Sequence, residues 1–267
     1  MKKVILVTGG SSGIGKSICE YLHTRDYKVY GTSRNPDRYS DFDFNLIALD
    51  VTDEQSVERC IAEVMDQAGR IDVLINNAGA GITGPFEEVP NSEIRKNLET
   101  NFIGPVSMMK AVLPIMRKQN SGKIINITSI AAYMGLPFRG IYSSGKAALE
   151  VLTEAIRMEV KAFNIEVTNL APGDFATNIA AGRFHSEVDP NSAYGETYGR
   201  ILNEINEHVD SGRDPLEVAK AVEKIIRMRH IKPHYTVGAF VQKFSVVLKS
   251  ILPQKTFEKL LLRHHKL

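Results

Sequence analysis

Tyr142 and Lys146 stand four residues apart in "IYSSGKAALEVLTEAIRMEV" (141–160), a segment whose apolar residues recur at helical spacing. On a helix the two share one face. A phenol is a poor acid–base group near neutral pH, because its ordinary pKa is about 10. An ammonium held beside it stabilises the phenolate and lowers that value toward the working range. Tyr-x-x-x-Lys is therefore a sensible proton donor, although a solvated helix face carries the same pair by chance. Ser129 strengthens the case. It ends "GKIINITS" (122–129), an apolar strand, and so falls at the carboxyl edge where open α/β sheets bind ligands.

A second stretch, "GGSSGIGKS" (9–17), reads in two ways. From Gly10 it spells G-x-x-x-x-G-K-S, a P-loop for a nucleoside triphosphate. Lys16 would then hold the β/γ-phosphates and Ser17 would ligate magnesium. The strand "LIALD", ending in Asp50, imitates the second P-loop motif. From Thr8 the same stretch spells T-G-x-x-x-G-x-G, with Gly9, Gly13 and Gly15 in a turn suited to a dinucleotide pyrophosphate. Both readings use the same physics: glycines let the backbone approach an anion, and a helix N-terminus offers N–H donors and partial positive charge. A turn that binds nothing is harder to justify, since three glycines here lower helix propensity.

The dinucleotide reading places a ribose-reading residue about 20 positions further on. The second strand ends in "GTSRNP", with Arg34 where an acid would favour NAD, and Arg38 nearby. A guanidinium suits a 2′-phosphate through bidentate, charge-assisted hydrogen bonds. The expected cofactor is therefore NADP(H) rather than NAD(H). Without such a ligand Arg34 is a solvated loop charge.

These residues need a frame. Strand-like runs occur at 2–9, 27–33, 44–50, 71–77, 122–129 and 164–172, several of them apolar on both faces as buried parallel strands are. Helical patterns occupy 13–25, 53–68, 91–118, 141–162 and 214–229, with helix-start signals at Asp53 and Asp214-Pro215. Such alternation predicts a parallel sheet with helices on both faces. The chain has 267 residues, 43% hydrophobic and 24% charged, as a soluble globular protein does. Its net charge of +2 gives no argument for nucleic acid as a partner. Cys19 and Cys60 form no C-x-x-C, so neither a disulfide framework nor a metal site is expected. "MKKVILV" is too short for a signal peptide, and no apolar stretch is long enough to span a membrane. A cytoplasmic protein is the expectation.

The motifs together resemble the short-chain dehydrogenase/reductase family. "TGGSSGIG" (8–15), "NNAG" (76–79), Asn101 in "ETNFIG", Ser129 in "NITSIAAY", "YSSGK" (142–146) and "PGDFAT" (172–177) occur in the family's order and spacing, over about residues 3–230. The resemblance implies a Rossmann-like, doubly wound α/β fold of about seven strands. It implies that Gly9, Ser11, Ser12, Gly13, Ile14 and Gly15 line the pyrophosphate and adenosine ribose. Asp50 and Val51 would contact the adenine. Asn76, Asn77, Ala78 and Gly79 would close the adenosine side and brace the sheet. Pro172, Gly173 and Thr177 would position the nicotinamide. The implied catalytic set is Asn101, Ser129, Tyr142 and Lys146. Tyr142 would protonate the substrate oxygen during hydride transfer, and Ser129 would hydrogen-bond that oxygen. Lys146 would lower the Tyr142 pKa and grip the nicotinamide ribose, and Asn101 would hold a water that re-supplies the proton. Lys16 has no role in this reading and is expected to be a surface lysine.

Two regions break the strand–helix rhythm. Residues 174–210 are expected to form a substrate lid. There Phe175, Phe184, Tyr194 and Tyr198 would either build an apolar pocket with Met134, Leu136 and Phe138 or simply pack the lid onto the body. Residues 231–267 carry seven Lys/Arg and one acid, about +6 against about −4 for the rest. This basic amphipathic extension would cap its own domain, meet a sister subunit, or lie on an anionic membrane. The resemblance implies interconversion of a lipophilic carbonyl compound (steroid-like, retinoid-like or long-chain) and its alcohol, in a homodimer or homotetramer built through 91–118 and 141–162. A cofactor-binding sensor or scaffold without turnover, and a P-loop nucleotidase, are the alternatives.

Overall fold

The computed structural model describes residues 2–176, 182–210 and 212–267. Seven parallel strands form one sheet: β1 (Val4–Val7), β2 (Lys28–Ser33), β3 (Asn45–Ala48), β4 (Val73–Asn76), β6 (Gly122–Ile127), β7 (Ile165–Pro172) and β9 (His234–Val237), in the order β3-β2-β1-β4-β6-β7-β9. A short pair, β5 (Ile82–Thr83) with β8 (Phe184–His185), lies apart from it. Strand periodicity explains the layers. Side chains alternate along a strand, so Val4 and Leu6 of β1 enter one core while Ile5 and Val7 enter the other.

On the first face α2 (Glu54–Ala68), α4 (Gly104–Gln119) and α5 (Gly140–Glu159) cover the sheet through residues such as Val57, Val64, Met108, Val112 and Leu149. On the second, α1 (Gly13–His23) and α7 (Leu216–Arg227) contribute Ile18, Leu22, Val218 and Ile225. Local signals set the helix ends. Asp53 caps α2 by accepting from Gln55 N, and Gly69 closes it with φ +69°. Asp214 accepts from Leu216 N at the start of α7.

Strand order reverses between β1 and β4, which opens a crevice at their carboxyl ends. The predicted 91–118 helix is interrupted there. It comprises α3 (Asn91–Leu98), a π-helical turn at Glu99–Ile103, and α4. Wide turns of this kind often mark functional sites, and this one holds Asn101. The expected lid contains β8 and a helix, α6 (Gly195–Asp210), that the polar and glycine-containing composition hid. The basic extension begins with β9, the seventh strand, and then forms α8 (Phe240–Ile251) and α9 (Gln254–His264).

Candidate active site

The crevice is a cavity of about 910 Å³ that runs from Arg34 and Arg38 to Tyr142 and Arg183. At one end lies the glycine turn. Gly9 and Gly13 have φ of +68° and +52°, a backbone region open mainly to glycine. A Cβ on Gly15 would collide with the Gly9 carbonyl oxygen and with Nδ2 of Asn77. Asn77 secures the turn by donating from Nδ2 to the carbonyls of Thr8 (3.0 Å) and Gly9 (3.2 Å). Thr8 Oγ1 accepts from the backbone of Asn77 and Ala78, each at 2.9 Å. The N-cap residue Ser12 makes no side-chain cap to α1. The first N–H groups of that helix are thus left for a ligand, and its dipole favours an anion there.

Gly9, Ser11, Ser12, Gly13 and Ile14 line the cavity, as do Arg34, Asp50, Val51, Asn77, Ala78, Gly79, Pro172 and Gly173. Gly15 serves by its missing Cβ. Asn76 differs from the expectation of an adenosine contact: it is buried and donates to Asn126 Oδ1 at 2.8 Å, tying β4 to β6. Thr177 lies outside the described residues. Lys16 pairs with Glu20 at 3.6 Å and is not among the residues lining the cavity. Arg34 and Arg38 are exposed, and no carboxylate of the described residues pairs with either. A dianionic phosphate would find both guanidiniums free.

The four expected catalytic residues come together at the other end. Tyr142 and Lys146 sit on the first turns of α5, and Ser129 closes β6 and caps the next turn by accepting from Ala131 N at 3.1 Å. Lys146 is buried and donates to the Ile127 carbonyl at 3.0 Å. A Cβ on Gly79 would lie 2.8 Å from Oδ1 of Asn101 and 3.4 Å from Nζ of Lys146, so both polar atoms face one small gap. Asn101 is held by Ala80, accepting from its N–H at 3.2 Å and donating to its carbonyl at 2.8 Å.

Burial governs the titration. It raises Tyr142 above the ordinary phenol range, against the pull of Arg139, the Ser129 hydrogen bond and Arg183. Two arginines are thus among the cations acting on Tyr142. Burial also lowers Lys146 to about 8, opposed by Glu150 one turn along α5. Glu150 is itself anchored by Thr128, Asn169 and His234. Sequence reasoning missed Arg139, Arg183 and Glu150. Arg139 lies one helical turn before Tyr142, a spacing that could have flagged it.

Of the seven residues expected to build an apolar pocket or to pack the lid, only Phe175 lines the cavity among the described residues. Phe138 packs on Tyr194 and Tyr198, and the Tyr198 hydroxyl donates to the Thr83 carbonyl at 3.2 Å. Met134 is buried with Ile130, Ala171 and Phe257. These side chains hold the lid and tail onto the body. The tail does cap its own domain: Phe257 enters that cluster, and Arg200 donates to the carbonyls of His265 and Lys266. Among the described residues no helix is long and apolar enough to cross a membrane, and no group of metal-ligating side chains occurs.

The sequence and fold have relatives. A family model described as short chain dehydrogenase matches residues 3–187. A 3-ketodihydrosphingosine reductase of Bacteroides thetaiotaomicron is 39% identical over 96% of this chain and 95% of its own. A short-chain dehydrogenase structure from Streptomyces avermitilis superposes with a TM-score of 0.86, at 33% identity and 99% coverage of both chains. The structure of ElxO with NADP bound gives a TM-score of 0.71 at 29% identity, covering 89% of this chain and 97% of that one.

Proposed function

The chain belongs to the short-chain dehydrogenase family and is an oxidoreductase of the CH–OH/C=O type. From that premise we propose that it is an NADP(H)-dependent reductase of a long-chain keto compound. One observation carries the reading: Ser129, Tyr142, Lys146 and Asn101 share a single cavity with an uncapped glycine turn and two free arginines. The residues fit a dinucleotide. Gly9, Ser11, Ser12, Gly13 and Ile14 would hold its pyrophosphate, Arg34 its 2′-phosphate, and Pro172 and Gly173 its nicotinamide. When bound, that group supplies or accepts a hydride.

The protein handles the proton and the charge. Tyr142 donates its phenolic proton to the carbonyl oxygen, and Ser129 donates a hydrogen bond to the same oxygen as negative charge develops there. A raised pKa keeps Tyr142 protonated at neutral pH, which suits the reducing direction. The phenolate left behind is stabilised by Arg139 and Arg183 and is re-protonated through Lys146 and the gap at Gly79 and Asn101. The relative that reduces 3-ketodihydrosphingosine supports a long-chain substrate. An intact catalytic set argues against a sensor without turnover.

The choice of NADP(H) is tested at Arg34. Arg34→Ala is expected to weaken NADPH by about 10- to 100-fold, the scale of a lost charge-assisted pair, and to leave NADH nearly unchanged. Equal loss for both, measured by nicotinamide fluorescence, would assign Arg34 another job.

We place the enzyme in the cytoplasm, in keeping with its two free buried thiols, Cys19 and Cys60. We also propose a homo-oligomer through α4 and α5. Val151 and Met158 on α5 and Ile103 before α4 are exposed apolar side chains that a second copy would cover. Light scattering at the mass of a monomer would remove this assembly.

A further inference from the structure

The substrate end of the cavity carries two arginines. Arg139 and Arg183 both line it, and both act on Tyr142. The Arg139 guanidinium lies 5.7 Å from the centre of the Tyr142 ring. Arg183 crosses Gly81, whose Cβ, if present, would lie 2.9 Å from Cγ and 3.0 Å from Nε of the arginine. Glycine there leaves room for the side chain to enter the cavity. Both arginines are partly buried, and each repels the other.

Neither is ion-paired within the described residues. Among the described residues no carboxylate forms an ion pair with Arg139 or Arg183, and the one side-chain bond Arg183 makes is to the neutral Asn206 Oδ1, at 3.3 Å. Asp174 acts on Arg183 through space without an ion pair to it, and Gln242 Nε2 donates to its carboxylate at 2.6 Å. One carboxylate that contacts neither guanidinium leaves two half-buried like charges with excess positive charge, which is costly unless a ligand supplies an anion. The dinucleotide phosphates have their own sites at the turn and at Arg34. We propose that Arg139 and Arg183 clamp an anionic group of the substrate, a carboxylate or a phosphate monoester, carried close to its reacting carbonyl. This rests on the assignment of Tyr142 as proton donor and adds a substrate class to it: an acidic keto compound.

The test is calorimetric binding to the NADP⁺-loaded protein, which needs no turnover. Two matched pairs serve as probes: 4-oxododecanoate against its methyl ester, and hydroxyacetone phosphate against hydroxyacetone. At least one anion is expected to bind about 10- to 100-fold more tightly than its neutral partner, as charge-assisted pairs are. The favoured pair identifies the anion as carboxylate or phosphate. Arg183→Met and Arg139→Met should each collapse that discrimination, Arg183→Lys should restore part of it, and NADP⁺ affinity should hold in the Arg183 variants. Equal affinities within both pairs, no binding of either anion, or discrimination that survives both Met variants would overturn the clamp. If the anion binds preferentially but no ketone is reduced, the clamp stands and the proton-donor assignment fails.

Discussion

Tyr142→Phe is expected to lower kcat for ketone reduction by about 10³-fold, within the range for loss of a positioned general acid. The affinity for NADPH should stay within about threefold, since one hydroxyl at the reacting end is lost and general acids act on the chemical step. The structure motivates the size of the effect. Tyr142, Ser129 and Lys146 line the same cavity, and the Tyr142 hydroxyl interacts with the Ser129 side chain. Phenylalanine keeps the ring against Arg139 and the helix α5, so folding should not change. The pH profile adds a second readout. Wild-type kcat/KM should decline as pH rises through about 8, where Lys146 loses the proton it passes on. Tyr142→Phe, with no phenol to refill, should lose that limb. Unchanged turnover in Tyr142→Phe, measured by NADPH absorbance, would transfer the proton to another group.

The second large effect is at Gly15. Gly15→Ala would set a methyl group against the Gly9 carbonyl and the Asn77 amide, two atoms that hold the turn in shape. Neither can yield freely, because Gly9 is backbone at φ +68° and Asn77 is already bonded to Thr8. Overpacking of this kind costs about 1–3 kcal/mol, which for a chain of this size lowers Tm by several degrees, about 2–4 °C per kcal/mol. The displaced turn would also lose its aim at the pyrophosphate, so NADPH binding should weaken by about 100-fold, the scale of two charge-assisted hydrogen bonds. Gly135→Ala is the control, because a Cβ there meets nothing within 4 Å. A Gly15→Ala protein with wild-type melting and wild-type NADPH affinity would show that the turn tolerates a side chain.

Much of this site is legible in the residues alone. Apart from Asn101, which lies in the π-turn, the motifs border strand ends and helix starts, where local periodicity is strong. The spacing of Tyr142 and Lys146 is a helical face, and α5 supplies it. The six expected strands all appear, because buried parallel strands are apolar on both faces. The seventh is harder to see. "HYTV" in β9 is half-exposed at the sheet edge and sits in a basic segment, so its composition hides its pairing with β7. The π-turn at Asn101 is invisible for another reason: Glu99–Ile103 has no composition that distinguishes it from the helices around it.

The substrate end was least legible. Aromatics in a lid suggest an apolar pocket, but packing decides which way each ring turns. Phe138, Tyr194 and Tyr198 turn toward one another. Arg183 lies far from Tyr142 in sequence, and only the pairing of β8 with β5 brings it back to the cavity. Long-range placement of this kind leaves no periodic signal. The Tyr142 environment is hidden on the same ground, since Arg139 and this distant arginine both act on it.

The most direct measurement of the central claim is a fluorescence titration of the purified protein with NADPH, alongside NADH and ATP–magnesium. A dinucleotide site built from the glycine turn and Arg34 predicts saturable enhancement of nicotinamide fluorescence, tighter for NADPH than for NADH, with no competition from ATP–magnesium at comparable concentration. Flat fluorescence with both nicotinamides, together with tight binding of ATP–magnesium, would contradict it.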